Sequence, residues 1–192
     1  MTVERTPDSN DKPVVLFVPG LGGSGPGHWQ TLWQQDIPGA RRVEQSDWDA
    51  PRRVDWLKAL KDALDKTPGA VVAAHSLGCI LLAHVAIEYS TLPIRAALLV
   101  APADVEQAGP AREAVRDFGP IPLGRLPFKT IVVTSANDPY VTIDRAAMFA
   151  SAWGASLIDI GHCGHINVEA GFGPWPEGRH MLDRLIAVSE KP

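Results

Sequence analysis

Three kinds of side chain in this sequence have types and spacing suited to nucleophilic chemistry. Ser76 sits in Val71-Val72-Ala73-Ala74-His75-Ser76-Leu77-Gly78-Cys79. An acid, Asp138, sits in Ser135-Ala136-Asn137-Asp138-Pro139, and two histidines, His162 and His165, sit in Gly161-His162-Cys163-Gly164-His165-Ile166-Asn167. A serine hydroxyl attacks poorly near neutral pH and needs a base within hydrogen-bond reach to take its proton. Histidine suits that role because its ordinary pKa lies near working pH. A carboxylate on the far side of the ring fixes the tautomer and stabilises the imidazolium that forms.

The elements around these residues decide whether they can meet. Val71 to Ala74 is a short apolar run that predicts a buried strand, with Gly69 marking its start. From Leu77 the pattern shifts to the helical spacing Leu77, Ile80, Leu81, His84, Val85 and Glu88. Strand therefore becomes helix across Ser76 with almost no loop, which is the nucleophile-elbow pattern, although Ala74 stands where its first glycine is usual. A serine after a strand is commonly only a turn or cap residue, so the reading depends on partners downstream. Further strands are expected at Val14–Val18, Arg42–Gln45, Ala96–Val100, Thr130–Thr134 and Leu157–Ile160. Helices are expected at His28–Asp36, at 54–64 with Val54, Leu57, Leu60 and Leu64 inward, at Ile143–Trp153 and at Glu177–Val188 with Met181, Leu182, Leu185 and Ile186 inward. That alternation predicts a mainly parallel sheet of about six strands covered on both faces, with ligands bound beyond the strands' carboxyl ends. Ser76, Asp138 and the two histidines all fall at such ends, in the chain order of α/β-hydrolases.

Rivals exist for each role. Asp159 lies within a predicted strand and Asp144 early in a helix, whereas Asp138 ends a strand beside a proline, where an Asx turn is the bland alternative. His162 and His165 both follow a glycine, and spacing does not separate them. His75, fixed beside Ser76, is expected to be a structural hydrogen-bonder, and Cys79 a small core residue. Cys163 between two histidines lacks a fourth ligand, so neither a zinc site nor any other metal or cofactor is expected.

The loop Pro19 to Gly27 offers backbone donors. For a developing oxyanion, the Leu77 N–H would supply one hydrogen bond and the Leu21 N–H, with Gly22 next in line, the other. Gly20, Gly22, His28 and Trp29 are candidate substrate contacts. The same loop matches G-x-G-x-x-G from Gly20 to Gly25, with Glu44 downstream, so a dinucleotide-binding protein is one alternative. Pro26-Gly27 falls where the helix of that motif should already run.

Composition sets the outer bounds. The chain has 192 residues, 45% hydrophobic and 21% charged, which fits one globular domain over residues 14–192 behind a polar leader expected to be disordered over residues 1–13. A net charge of −4, with no basic stripe on any predicted helix, argues against a nucleic-acid partner. No apolar run reaches membrane-spanning length. Two cysteines are too few for a disulfide framework, and a cytoplasmic location is expected.

With Pro19-Gly20, Ser24, Gly27-His28-Trp29-Gln30, Asp47-Trp48, Pro51, Trp56, His75-Ser76-Leu77-Gly78, Ser135 to Tyr140 and Gly164-His165-Ile166-Asn167 taken together, the chain resembles the small serine hydrolases related to retinoblastoma-binding protein nine. The resemblance runs from about Val14 to the terminal helix. It implies an α/β-hydrolase without a large cap, with Ser76, Asp138 and His165 as the triad, and it selects His165 over His162. It does not carry over retinoblastoma-protein binding: the L-x-C-x-E motif that contact needs is absent, since Leu77-Gly78-Cys79 is followed by Ile80-Leu81.

Between the strands ending near Ala101 and beginning near Thr130, the apolar, proline-stiffened stretch from Phe118 to Phe128 is expected to line an acyl pocket through Phe118 and Ile121. Small or medium esters are the expected substrates, with thioesters and amides served by the same three residues. A hydrolase fold that has become a silent binding module is the non-enzyme alternative.

Overall fold

The strand that leads into Ser76, β3 (Ala70–His75), is buried at every residue and paired in parallel on both sides. Its neighbours are β1 (Val15–Val18) and β4 (Ile94–Val100). Beyond them lie β2 (Arg41–Arg42), β5 (Lys129–Thr134) and β6 (Ser156–Asp159), giving the order β2-β1-β3-β4-β5-β6 with every pairing parallel. This computed structural model describes residues 12–89, 91–107 and 112–189. The expected leader lies, up to residue 11, outside the described residues.

A period of two divides the strand residues between two cores. Leu16, Val18, Val72, Ala74, Ala97, Leu99 and Val132 face one layer of helices: α2 (Arg53–Asp65), α3 (Leu77–Glu88) and α5 (Ile143–Trp153). Val15, Phe17, Val71, Ala73, Leu98 and Val133 face the other, made by α1 (Trp29–Asp36) and α6 (Pro176–Ser189). Strands buried on both faces have to be apolar throughout, which is why β1 and β3 show no alternation in sequence. Helix α3 is buried at every residue from Leu77 to Ala86, as a helix apolar all round must be.

Several boundaries differ from the sequence expectation. On α2 the inward row is Trp56, Leu60 and Leu64, and Val54 is 61% exposed. On α6 only Leu182 and Leu185 of the four expected residues are buried. The connection after β4 contains a short helix α4 (Arg112–Val115) and a 3₁₀ turn (Arg116–Phe118), too short to show periodicity. No helix among the described residues is long and apolar enough to cross a membrane.

Candidate active site

Ser76 is the single residue between β3 and α3, with φ 55° and ψ −124°. The turn packs against the end of β1 so tightly that a Cβ on Gly78 would lie 2.3 Å from the Val18 carbonyl oxygen. A Cβ on Gly20 would lie 2.8 Å from the Ser76 Cβ. These glycines are therefore steric requirements of the elbow.

The Ser76 hydroxyl donates to His165 Nε2 at 2.8 Å, and the His165 Nδ1–H donates to the Asp138 carboxylate at 2.9 Å to Oδ2 and 3.0 Å to Oδ1. The Asp138 side chain is fully buried. Its Oδ1 also accepts the Tyr140 N–H at 2.8 Å, so the Asx turn and the contact to histidine share one carboxylate. The turn after β5 holds the histidine loop. Asn137 Oδ1 accepts both the Gly164 N–H and the Ser135 hydroxyl, and Ser135 Oγ accepts the Cys163 N–H. His162 is exposed, Asp144 lies in the first turn of α5, and Asp159 Oδ1 accepts the Gly161 N–H.

The His28-Trp29-Gln30 run organises the opposite side. Gln30 is fully buried: its Nε2 donates to the carbonyl oxygens of Ala73 (2.9 Å) and Val18 (3.2 Å), and its Oε1 accepts the Ser24 hydroxyl (2.6 Å). One amide thus ties β1, β3 and the glycine loop together. The Trp33 indole N–H donates to the Pro174 carbonyl oxygen at 2.7 Å. The His75 Nε2–H donates to the His165 carbonyl oxygen at 2.9 Å, and burial, with His165 and His28 nearby, pushes its pKa well down.

Above Ser76 opens a cavity of about 570 Å³. Ser76, His165, Leu21, Leu77, His28 and Tyr140 are among the residues that line it. The Tyr140 ring stands 4.5 Å from that of His165. The backbone N–H groups of Leu21 and Leu77 have no acceptor among the described residues, whereas the Gly22 N–H is committed to the Trp48 carbonyl oxygen at 2.8 Å.

Five expected contacts do not line the cavity. Gly20 lies beneath the elbow, and Gly22 is turned into its bond with Trp48. Trp29 is fully buried, with its indole N–H on the Ile166 carbonyl oxygen. Phe118 is fully buried edge-on to Trp56 at 5.6 Å, and its carbonyl oxygen accepts the His84 Nε2–H. Ile121 is 4% exposed, in the same core, with its N–H on Glu106. Of the apolar stretch from Phe118 to Phe128, Phe118, Ile121 and Leu126 are buried in the core, while Leu123 is exposed. Tyr140, Asn167 and Val168 also line the cavity; the first two fall in sequence blocks singled out above without a substrate role, and Val168 follows directly.

No group of three or more histidine, cysteine or carboxylate side chains among the described residues is placed to hold a metal ion. Cys163 donates its thiol to the Ile160 carbonyl oxygen.

The serine hydrolase family model matches residues 15–184. The chain belongs to this serine hydrolase family. A protein of Pectobacterium atrosepticum described as a YdeN-like hydrolase is 34% identical, with a TM-score of 0.80, over 93% of this chain and 91% of that one. The ydeN gene product of B. subtilis shares the fold at 20% identity and TM-score 0.76, over 91% of this chain and 99% of that one. So does a protein of Burkholderia cenocepacia described as an aryl esterase, at 16% identity and TM-score 0.70, over 93% and 92%. No curated protein matches the chain. The protein is thus a serine hydrolase with the α/β-hydrolase fold, of the family whose sequence blocks it resembles.

Proposed function

We propose that this hydrolase cleaves small or medium carboxylic esters through an acyl-enzyme on Ser76. The observation that carries the reading is the unbroken line from Ser76 Oγ to His165 Nε2 to the Asp138 carboxylate, at 2.8 and 2.9 Å, with Ser76 and His165 lining the cavity. Ser76 Oγ bonds to the acyl carbon while its proton passes to His165 Nε2. The alkoxide then departs with that proton. Water, deprotonated by the same nitrogen, attacks the acyl carbon, the bond to Ser76 Oγ breaks, and Oγ takes the proton back from Nε2 as the acid leaves.

Asp138 keeps the proton of the resting ring on Nδ1, leaving Nε2 bare to act as base, and stabilises the imidazolium. The Leu21 and Leu77 N–H groups are the oxyanion donors of this scheme, since both border the cavity and neither has another acceptor among the described residues. The cavity volume suits an acyl group of modest length.

A fluorophosphonate probe should label the wild type, with the adduct on Ser76 by peptide mapping, and Ser76→Ala should not label. Turnover of p-nitrophenyl esters of graded acyl length should then fall off as the chain outgrows the cavity. Labelling at another residue, or an unlabelled and inactive wild type, would remove the proposal in favour of a silent binding module.

A further inference from the structure

His28 caps α1 and forms part of the cavity wall at the same time. Its Nδ1 accepts the Gln30 backbone N–H at 3.2 Å. A neutral imidazole that accepts at Nδ1 carries its proton on Nε2 and is a donor there. The residue is 5% exposed, and Nε2 is enclosed with no partner among the described residues. Burial, the Arg42 guanidinium and His165 together push the pKa of the ring from 6.5 down to about 4, so it is neutral at working pH. Arg42 is itself occupied by Gln34, Thr31 and the Ser24 carbonyl oxygen.

We propose that His28 reads the substrate: its Nε2–H donates to an uncharged oxygen flanking the scissile carbonyl, so the enzyme selects esters that carry an ether, carbonyl or hydroxyl oxygen near the reacting group. The inference rests on the ester-hydrolase reading above. A buried donor without a partner is costly, and a ligand oxygen is the group that would relieve the cost. Gly23, Gly25 and Gly27 have no polar side chains and Pro26 has no N–H, so among the lining residues from 23 to 28 recognition by a side chain falls to His28.

Elsewhere the lining holds the apolar Ala103, Val105 and Val115 with the polar Gln107, Asn167 and Glu169, and Asp104 is already held by Arg145. No lysine or arginine lines the cavity among the described residues, so an anionic acceptor would meet no counter-charge. The His28 ring stands 4.8 Å from that of His75, which in turn stands 4.9 Å from that of His165. His75 thus lies between His28 and the proposed base, in ring contact with both.

Two variants separate reading from capping. His28→Asn offers an amide oxygen as cap to α1, a position where asparagine is strong, but removes the distal donor. His28→Gln carries an amide nitrogen out near the place of Nε2 and gives up the cap. Each is assayed on two isosteric pairs: p-nitrophenyl methoxyacetate against butanoate on the acyl side, and 2-methoxyethyl acetate against butyl acetate on the alcohol side. All rates are taken relative to hydroxide-catalysed hydrolysis.

In at least one pair the wild type should favour the oxygen-bearing ester. His28→Asn should lower that kcat/KM ratio about 10-fold, and His28→Gln should keep most of it. The pair that responds assigns the oxygen to the acyl or the alcohol side. A wild type with no preference in either pair overturns the inference even if His28→Asn fails to fold. So does a folded His28→Asn with unchanged ratios, or a loss confined to His28→Gln, which would leave capping as the whole role. A wild type that hydrolyses none of these esters and takes no probe on Ser76 sinks the ester-hydrolase reading, and this inference with it.

Discussion

The Trp29 indole N–H donates to the Ile166 carbonyl oxygen at 3.0 Å, fastening the residue after His165 to the first helix of the chain. Ile166 is buried with φ 50°, a conformation a β-branched residue adopts only when its surroundings impose it. Trp29→Phe keeps the ring but leaves that carbonyl unpaired, which should cost about 1–2 kcal/mol of stability. Because the histidine backbone shifts with it, kcat on an activated ester should fall about 10-fold with KM little changed. Unchanged kcat in the folded variant would show that the bond positions nothing.

Asp138→Asn tests the proposed orienting carboxylate. Asparagine preserves the size and can accept the Tyr140 N–H, but it presents an amide that favours the wrong histidine tautomer. Turnover should drop by up to ~10⁴-fold. Asn137 cannot substitute, because its Oδ1 already accepts from Gly164 and Ser135. Asp144→Asn and Asp159→Asn, assayed on the same ester, should stay near wild type. If either collapses without unfolding while Asp138→Asn remains active, the acid has been misplaced.

The backbone of Ser76 carries strain that its side chain cannot relieve. At φ 55° and ψ −124° any residue with a Cβ is disfavoured, and such positions cost on the order of 1–3 kcal/mol. Ser76→Ala removes the hydroxyl and keeps the strain, whereas Ser76→Gly removes both. The glycine variant should melt about 3 °C above the alanine variant, both being inactive. A glycine variant less stable than the alanine one would mean that the elbow is unstrained.

Acid should weaken the fold through its buried histidines. Burial and the neighbouring charges hold the folded-state pKa of His28 at about 4, below the ordinary 6.5 expected of the unfolded chain, and His75 is lowered as well. Below pH 6.5 the unfolded chain binds protons that the folded one refuses, so the stabilisation present above that pH is lost on the way down to 4. His28 alone should contribute a slope approaching about 1.4 kcal/mol per pH unit within that window. Urea midpoints measured from pH 7.5 to 4.5 should fall, and His28→Asn should flatten the fall. A wild-type midpoint independent of pH would contradict the assignment.

Much of this arrangement is visible in residue order because each chemical group sits at a strand end, and strand ends are read from short apolar runs. Ser76, Asp138 and the histidine loop stand out that way, while the choice of His165 over His162 comes from the family resemblance; the structure brings Ser76, Asp138 and His165 within hydrogen-bond distance. Phe118 and Ile121 do not, because an apolar residue after a strand can cover the core or line a cavity, and hydrophobicity is the same in both places. Trp29 and Gln30 lie beside His28 in one motif, yet only their long-range bonds show that the tryptophan holds the histidine loop and the glutamine holds two strands. Those partners lie many residues away, where local pattern carries no information.

The loop bearing His165 is fixed by bonds that reach back to Trp29, His75 and Ser135. In chain order β1, β3 and β4 all precede that loop, so the Ser76 turn and its proposed base come from distant parts of the sequence. Closing contacts this distant in sequence is slow and comes late in folding. A chain in which that loop has not docked lacks the base that Ser76 needs in the proposed scheme. Esterase turnover in a refolding experiment would report the docking of the last part of the chain, trailing any signal from the sheet itself.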